Sequence, residues 1–350
     1  MVELGHTVTF ISTRFSQLSK RKGDSRLFLW NQANRFETLD GVSSYLWRTA
    51  FHPFASGNPV LNAAMSALYP LYARLPNKDI DAALAKADYV IIESSVAAIL
   101  LPRVRRLNSA CKIIYYATDR LDTVGAHPFV HRELVRNAKL IDHICLRSPR
   151  MVSDFAWASD RLYRVEFGID PSDFADIGPS PYQGNLNAVA VGSMLFDPTF
   201  FQQAAPAFPD ITFHVIGCGT TFDAPANVVV HPEMKFRETL PFIKHASIGV
   251  APYHPAPGVE YLADSSLKLA QYEYLGLPAV CPDFAVGNNP TRKGYVPGDT
   301  ASICAAVREA LGMLGQVPAR EFQTWPEVAA RVLNPKEFAD TVIPDAFLSR

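Results

Sequence analysis

The sequence predicts an α/β protein built from two doubly wound domains, and three observations carry that reading. Short apolar, β-rich runs alternate with amphipathic stretches along the chain, as expected for parallel strands buried on both faces and connected by helices. A segment rich in Pro, Gly and Asp, residues 168–184, interrupts the alternation and reads as a linker. The length of 350 residues suits two domains. Two such domains joined by a hinge place a ligand cleft at the carboxyl ends of their strands.

In the first half the strand-like runs are 7–12, 44–48, 89–92, 112–117, 143–146 and 163–167. Helical patterns fall at 59–75, 80–87, 128–141 and 149–159. The second half alternates more cleanly, with strands at 188–191, 211–217, 228–230, 248–251 and 279–281. Its helices lie near 198–208, 236–246, 265–275 and 301–314. The expected division is a domain at 1–180, a second at 181–330, and a tail at 331–350 that packs back on the first. The opening Val2-Glu-Leu-Gly-His6 precedes a strand and reads as the end of a helix with its C-cap glycine. The first domain is therefore expected to lack its first strand and loop.

Lys and Arg number 33 and Asp and Glu 34, a formal charge of −1, so no global attraction to nucleic acid is expected. The 48% apolar content excludes a disordered chain. Cys111, Cys145, Cys218, Cys281 and Cys304 are odd in number and form no CxxC, which predicts buried free thiols in a reducing compartment. No apolar run reaches the roughly 18 residues of a membrane span, and the N-terminus has no signal-peptide layout. A cytoplasmic protein able to touch a membrane surface is expected. The basic run Thr13-Arg-Phe-Ser-Gln-Leu-Ser-Lys-Arg-Lys22 is either a solvated loop or a patch for anionic lipid.

The densest candidate site is 261–282, YLADSSLKLAQYEYLGLPAVCP. Asp264, Ser265 and Ser266 are N-cap residue types opening a helix that ends at Gly276. A helix N-terminus suits a phosphate, and Lys268 in its first turn opposes the helix dipole unless an anion is shared. A second candidate is the strand-to-helix turn Gly192-Ser-Met-Leu-Phe-Asp-Pro198, a common ligand position in open sheets. Glu233, after the strand at 228–230, can accept two hydrogen bonds from a ribose, and Tyr253 ends the next strand. In the first domain Asp119, Glu93 and Asp154 are general-base candidates. No HExxH, P-loop, GxGxxG or GxSxG occurs.

The runs GSMLFDP, FHVIG, EMK, IKHA, APY, SSYLWRTAFHPF and the 261–282 segment resemble the membrane-associated glucuronosyltransferases of xanthan assembly, the GumK family. The resemblance extends from about Leu4 to about Pro335 and is dense between Asn187 and Pro282. It implies an inverting, metal-independent GT-B glycosyltransferase, with two Rossmann-like domains facing a central cleft and no cofactor beyond its co-substrate. The implied donor is UDP-glucuronate. The implied acceptor is the mannose of a polyprenyl-diphosphate-linked oligosaccharide, joined by a β-1,2 bond at the inner face of the cytoplasmic membrane in exopolysaccharide synthesis. The family's catalytic aspartate falls on Asp119. Its second acid, a glutamate, falls on Asp154. Its nucleotide site falls on Met194, Glu233, Met234, Tyr253, Ser265, Ser266, Leu267, Lys268 and Gln271, with methionine in the family at position 267. Two alternatives remain at this stage: an inactive UDP-binding homologue with a short N-terminus, or a UDP-sugar epimerase of similar architecture.

Overall fold

The computed structural model describes residues 1–184 and 186–348. These form two compact units, one of residues 1–166 with 326–350 and the other of 167–325. The segment 167–180, read from sequence as the end of the first domain, thus lies in the second unit.

The first unit contains β1 (Val8–Phe15), β2 (Phe36–Leu39), β3 (Val42–Arg48), β4 (Tyr89–Glu93), β5 (Lys112–Ala117), β6 (His143–Leu146) and β7 (Leu162–Arg164). They form two sheets, ordered β1-β3-β2 and β4-β5-β6-β7. The β4–β7 sheet is wholly parallel, with Ile114 opposite His143 and Ile144 opposite Leu162. The expected strands are present, but two features differ from expectation. β2 is an additional antiparallel strand on β3: Asp40 and Gly41 both take positive φ, forming the two-residue turn that closes a hairpin. The run 149–159 is a 3-10 segment, Pro149–Arg161, kinked at Phe155 and Ala158.

The opening residues do end a helical turn: Val2–Leu4 is 3-10, and Gly5 caps it at φ 82°. The basic run is structured too. Ser16 caps the short helix Gln17–Arg21 and exchanges hydrogen bonds with Ser19 in a capping box. The C-terminal helix Trp325–Leu333 buries Val328, Val332 and Leu333 against Ile114, Tyr116 and Cys145. The His143 ring meets the Val332 carbonyl at 2.8 Å.

The second unit is one six-stranded parallel sheet of β8 (Asn187–Val191), β9 (Thr212–Ile216), β10 (Val228–His231), β11 (Ile248–Val250), β12 (Ala279–Pro282) and β13 (Arg292–Tyr295). The order is β10-β9-β8-β11-β12-β13. The chain winds outward from β8 to β10 and then restarts at β11 on the other side, so β8 and β11 flank the topological switch point. Tyr272 locks this junction. Its ring lies on Gly249 of β11, where any side chain would collide with it, and its hydroxyl lies 3.1 Å from the Val189 carbonyl and 3.2 Å from that of Val250. Phe200, Phe201, Phe213 and Tyr295 form a core cluster with Ile248 and Val250 of β11. All five cysteines are free and buried.

Candidate functional site

The second unit gathers its predicted residues at the carboxyl ends of β8, β10 and β11. After β8 the chain turns at Gly192, whose φ of 90° requires glycine although the space around it is open. Met194 is exposed, and Leu195 also takes a positive φ, 50°. A β-bridge joins Phe196 to Tyr253, and the amide of His254 donates to the Leu195 carbonyl at 2.7 Å. The loops after β8 and β11 are therefore held together directly over the switch point.

The helix expected at 265–275 is divided. A short turn, Leu262–Ser265, ends at Ser266, and the helix proper runs Leu267–Tyr274. Ser266 is the N-cap and accepts from the Leu269 amide at 3.3 Å, whereas Ser265 bonds back to the Tyr261 carbonyl. The helix therefore starts one to two residues later than the Asp264-Ser-Ser sequence suggests, because Ser266 is the residue with extended backbone.

The buried Tyr253 hydroxyl lies 2.6 Å from the Ser266 Oγ. The Lys268 ammonium lies 4.9 Å from the centre of the Tyr253 ring. Among the described residues Lys268 has no anionic partner, and burial pushes its pKa down to about 8. Gln271, one turn on, is buried. Glu233 and Met234 follow β10, and Glu233 is exposed. Its Cα approaches Gly217, at the end of β9, so closely that a side chain at 217 would press on it. Free helix amides, an ammonium without a counter-ion and a bidentate acceptor are what a nucleoside diphosphate requires.

In the first unit Asp119 lies two residues past β5. Its backbone is clamped by Ser94, just past β4: the Ser94 hydroxyl donates to the Asp119 carbonyl at 2.6 Å and accepts from its amide at 3.3 Å. Glu93, the end of β4, is exposed. Asp154 sits on the 3-10 segment after β6 and pairs with Arg120 at 2.8 Å. Burial raises the Asp154 pKa, with the Arg120 guanidinium opposing and the Asp122 carboxylate adding to the rise. Arg120 drew no attention in the sequence because its only local signal is its place beside Asp119. A cavity of about 340 Å³ opens here, lined in part by Arg120, Asp122, His131 and Asp154. Among the described residues no group of three or more His, Cys, Asp or Glu is placed to hold a metal ion.

Comparison with known proteins decides the family. The UDP-glucuronate:glycolipid 2-beta-glucuronosyltransferase of Xanthomonas campestris pv. campestris is 41% identical over 338 residues, covering 96% of this chain and 84% of that protein. The chain belongs to the GumK glucuronosyltransferase family. Residues 1–147 also match the family model described as glucuronosyltransferase GumK, N-terminal domain.

Solved structures agree on the fold. Sucrose-phosphate synthase from Thermosynechococcus elongatus superposes with a TM-score of 0.65 at 10% identity, over 100% of this chain and 91% of that one. A trehalose 6-phosphate synthase from Burkholderia multivorans gives 0.57 at 13% identity, over 98% and 96%. The GumK-family chain thus has the GT-B fold, an α/β architecture with parallel sheets.

Proposed function

We propose that the protein transfers glucuronic acid from UDP-glucuronate to the mannose of a polyprenyl-diphosphate-linked oligosaccharide, forming a β-1,2 bond with inversion. The observation that carries this reading is the 41% identity, over nearly the whole chain, to a UDP-glucuronate:glycolipid 2-beta-glucuronosyltransferase.

In this reading the second unit holds the nucleotide. Glu233 accepts from the ribose, and backbone near Met234 meets the uracil. The amides opening the Leu267–Tyr274 helix and the Lys268 ammonium take the diphosphate. Met194, Tyr253, Ser265, Leu267 and Gln271 complete the pocket, with Ser266 and Tyr253 fixing where the helix begins. Asp119 removes the proton from the acceptor hydroxyl as that oxygen attacks the anomeric carbon opposite the UDP. The carbon–oxygen bond to UDP breaks, the electron pair leaves with the diphosphate, and the fixed amides and ammonium stabilise the developing charge. Asp154 assists on the acceptor side. No metal is invoked.

The first unit also offers a means of meeting a lipid-linked acceptor. Among the described residues no helix is long and apolar enough to cross a membrane. Phe28, Leu39 and Val60 are nonetheless 80%, 73% and 78% exposed. The short helix of the basic run carries Lys20, whose ammonium stacks over Trp30 at 4.0 Å, and Lys22 caps it over Phe54 at 4.3 Å. Basic side chains near anionic lipid contribute about 1 kcal/mol each. We place the protein at the inner face of the cytoplasmic membrane, peripherally bound, in exopolysaccharide synthesis.

The test is a panel of UDP-sugars with a mannose-terminated lipid-linked acceptor, and a second arm without acceptor. Glucuronate transfer supports the reading. Epimerised UDP-sugar in the acceptor-free arm, or UDP binding with no transfer from any donor, overturns it.

A further inference from the structure

The first unit carries a basic cluster at the carboxyl ends of β1 and β3, and it begins with a strained arginine. The pairing of β1 with β3 shifts register between Ser12 and Phe15. Arg14, inside that irregularity, takes φ 57°. Arginine seldom enters this left-handed region, which glycine and asparagine adopt far more readily. The backbone is held there from two sides. The Arg14 amide donates to the Tyr72 hydroxyl at 2.9 Å. The Arg26 guanidinium donates to the carbonyls of Thr13 and Arg14 at 2.9 and 3.2 Å. Strain of this kind persists where the surroundings impose it, and it collects at binding sites.

The cluster is short of anions. Among the described residues the half-buried Arg14 guanidinium makes no ion pair and no hydrogen bond. Lys22, the C-cap of the helix Gln17–Arg21, lies over the Phe54 ring at 4.3 Å and meets no carboxylate. Asp24 is already taken: Arg26 holds both of its oxygens, with Nε 3.0 Å from Oδ1 and Nη2 2.8 Å from Oδ2.

His52, in the segment after β3, stands in the field of these cations. It is 8% exposed, and its Nδ1 is buried with no hydrogen-bond partner. Burial, and then the charges of Arg14, Lys22 and Arg26, push its pKa down to about 4, with Asp24 opposing. The ring is therefore neutral at physiological pH. Two deficits meet here: a buried imidazole nitrogen without a partner and a half-buried guanidinium without a counter-ion. One phosphoryl group meets both, because its oxygens accept from a neutral imidazole N–H as well as from guanidinium and ammonium donors.

We propose that Arg14, Lys22 and His52 form a binding site for a phosphate or diphosphate group in the first unit, separate from the nucleotide residues of the second. The site itself does not depend on the transferase reading; only the source of its ligand does. On that reading two lipids bring such a group to the protein, a diphosphate-linked carrier and an anionic headgroup. A diffuse basic surface responds to total charge, whereas a built site responds to these three side chains.

The test follows the ring C–H resonances of His52, identified by their loss in His52→Gln, as inorganic pyrophosphate is added to the full chain with UDP present. The unaltered protein is compared with Arg14→Asn, Lys22→Gln and Arg21→Gln. Asparagine accepts a positive φ, so Arg14→Asn removes the charge without disturbing the chain. Arg21→Gln removes an equal charge from the same short helix. Pyrophosphate is expected to shift the His52 signals and to raise the His52 pKa above about 4, because the anion offsets the charges that hold it down. The dissociation constant should rise about tenfold in Arg14→Asn and about threefold in Lys22→Gln, and stay nearly constant in Arg21→Gln. Farnesyl diphosphate in detergent micelles and phosphatidylglycerol vesicles then replace pyrophosphate, with phosphatidylcholine vesicles as the uncharged reference. Whichever anionic lipid moves the His52 signals is the source of the phosphate.

His52 signals that ignore pyrophosphate, equal losses of affinity in Arg14→Asn and Arg21→Gln, or an equal response to phosphatidylcholine overturn the proposal. If the protein transfers no sugar yet pyrophosphate moves His52 with the expected pattern among the variants, the transferase reading fails and the anion site stands. If it transfers glucuronate while His52 stays unmoved, the anion site fails and the transferase reading stands.

Discussion

The Lys268 ammonium lies 4.9 Å from the centre of the Tyr253 ring and faces no carboxylate among the described residues. A cation–π contact replaces only part of the hydration an ammonium loses on burial. The free protein therefore holds this charge at a cost, and its pKa falls to about 8 as a result.

Lys268→Met is accordingly expected to move two properties in opposite directions. The unfolded lysine keeps its ordinary value near 10.5 and the folded one titrates near 8. At neutral pH the folded state thus carries a charge that burial opposes, and this penalty fades as pH rises from about 8 towards 10.5. Removing it should stabilise the nucleotide-free protein by about 1–2 kcal/mol, a rise in thermal midpoint of about 2–4 °C. If Lys268 takes the diphosphate as proposed, UDP affinity should fall about tenfold or more. Thermal melts and calorimetry check both; a variant that is less stable and binds UDP normally would remove Lys268 from the diphosphate site.

A fully buried cation is handled differently. Arg292 is buried but paired: its Nε lies 2.7 Å from Glu273 Oε1, and its Nη1 donates to the Ala263 carbonyl at 2.6 Å. Arg320 reaches the other oxygen of Glu273 at 3.0 Å. The network ties β13 to the turn that precedes the Ser266 cap. Glu273→Ala leaves the Arg292 charge uncompensated and should cost about 3–5 kcal/mol. Glu273→Ala/Arg292→Met should recover much of that loss in denaturant titration. A Glu273→Ala protein as stable as the original would show the pair to be dispensable.

The contrast between these two cations marks what the sequence conveys. Lys268 was legible because a cation in a first helical turn breaks a local rule. The alternation of apolar runs likewise announced every strand of the second sheet except β13, whose Arg292-Lys-Gly-Tyr295 carries charge where a buried strand should be apolar. That charge is explained only by Glu273, nineteen residues away. β2 was missed for a similar reason: Phe36-Glu-Thr-Leu39 is largely exposed and too short to show a period. The helix opening at Ser266 was misplaced because three adjacent N-cap residue types compete, and Ser266 is the one that takes the extended backbone of a cap. Arg120 had no sequence signal beyond its place beside Asp119, since its meaning comes from Asp154 after the next strand. Local rules were readable; pairings between distant charges were not.

The stacked imidazoles of His214 and His231 give the second unit an acid sensitivity. Their rings face each other at 5.3 Å with Nδ1 of His214 3.0 Å from Nε2 of His231, and Asn187, Tyr182 and Phe242 close the remaining sides. Burial, with the neighbouring imidazole, lowers His214 to about 4 from an ordinary 6.5, and burial also lowers His231. Between those values the unfolded chain binds protons that the folded one refuses, so stability falls as pH drops from 6.5 towards 4. The expected loss is about 1–3 kcal/mol after allowing for partial solvent access. His214→Gln should flatten the thermal midpoint across this range. An unaltered acid limb in that variant would assign the sensitivity elsewhere.

Asp119 separates chemistry from binding. Its backbone is fixed from both sides by the Ser94 hydroxyl, so its carboxyl can be altered without moving the chain. Asp119→Asn preserves shape but cannot take a proton, and should lower transfer by about 10²–10⁴-fold. Its UDP affinity should be unchanged, because the residues proposed to hold the nucleotide belong to the second unit. Ser94→Ala keeps the base but loosens the clamp, and should produce a smaller fall in kcat with the acceptor KM nearly constant. Single-turnover transfer beside UDP calorimetry distinguishes the two variants. Full activity in Asp119→Asn would pass the role of base to another acid near the carboxyl ends of this sheet, Asp154 or Glu93 first.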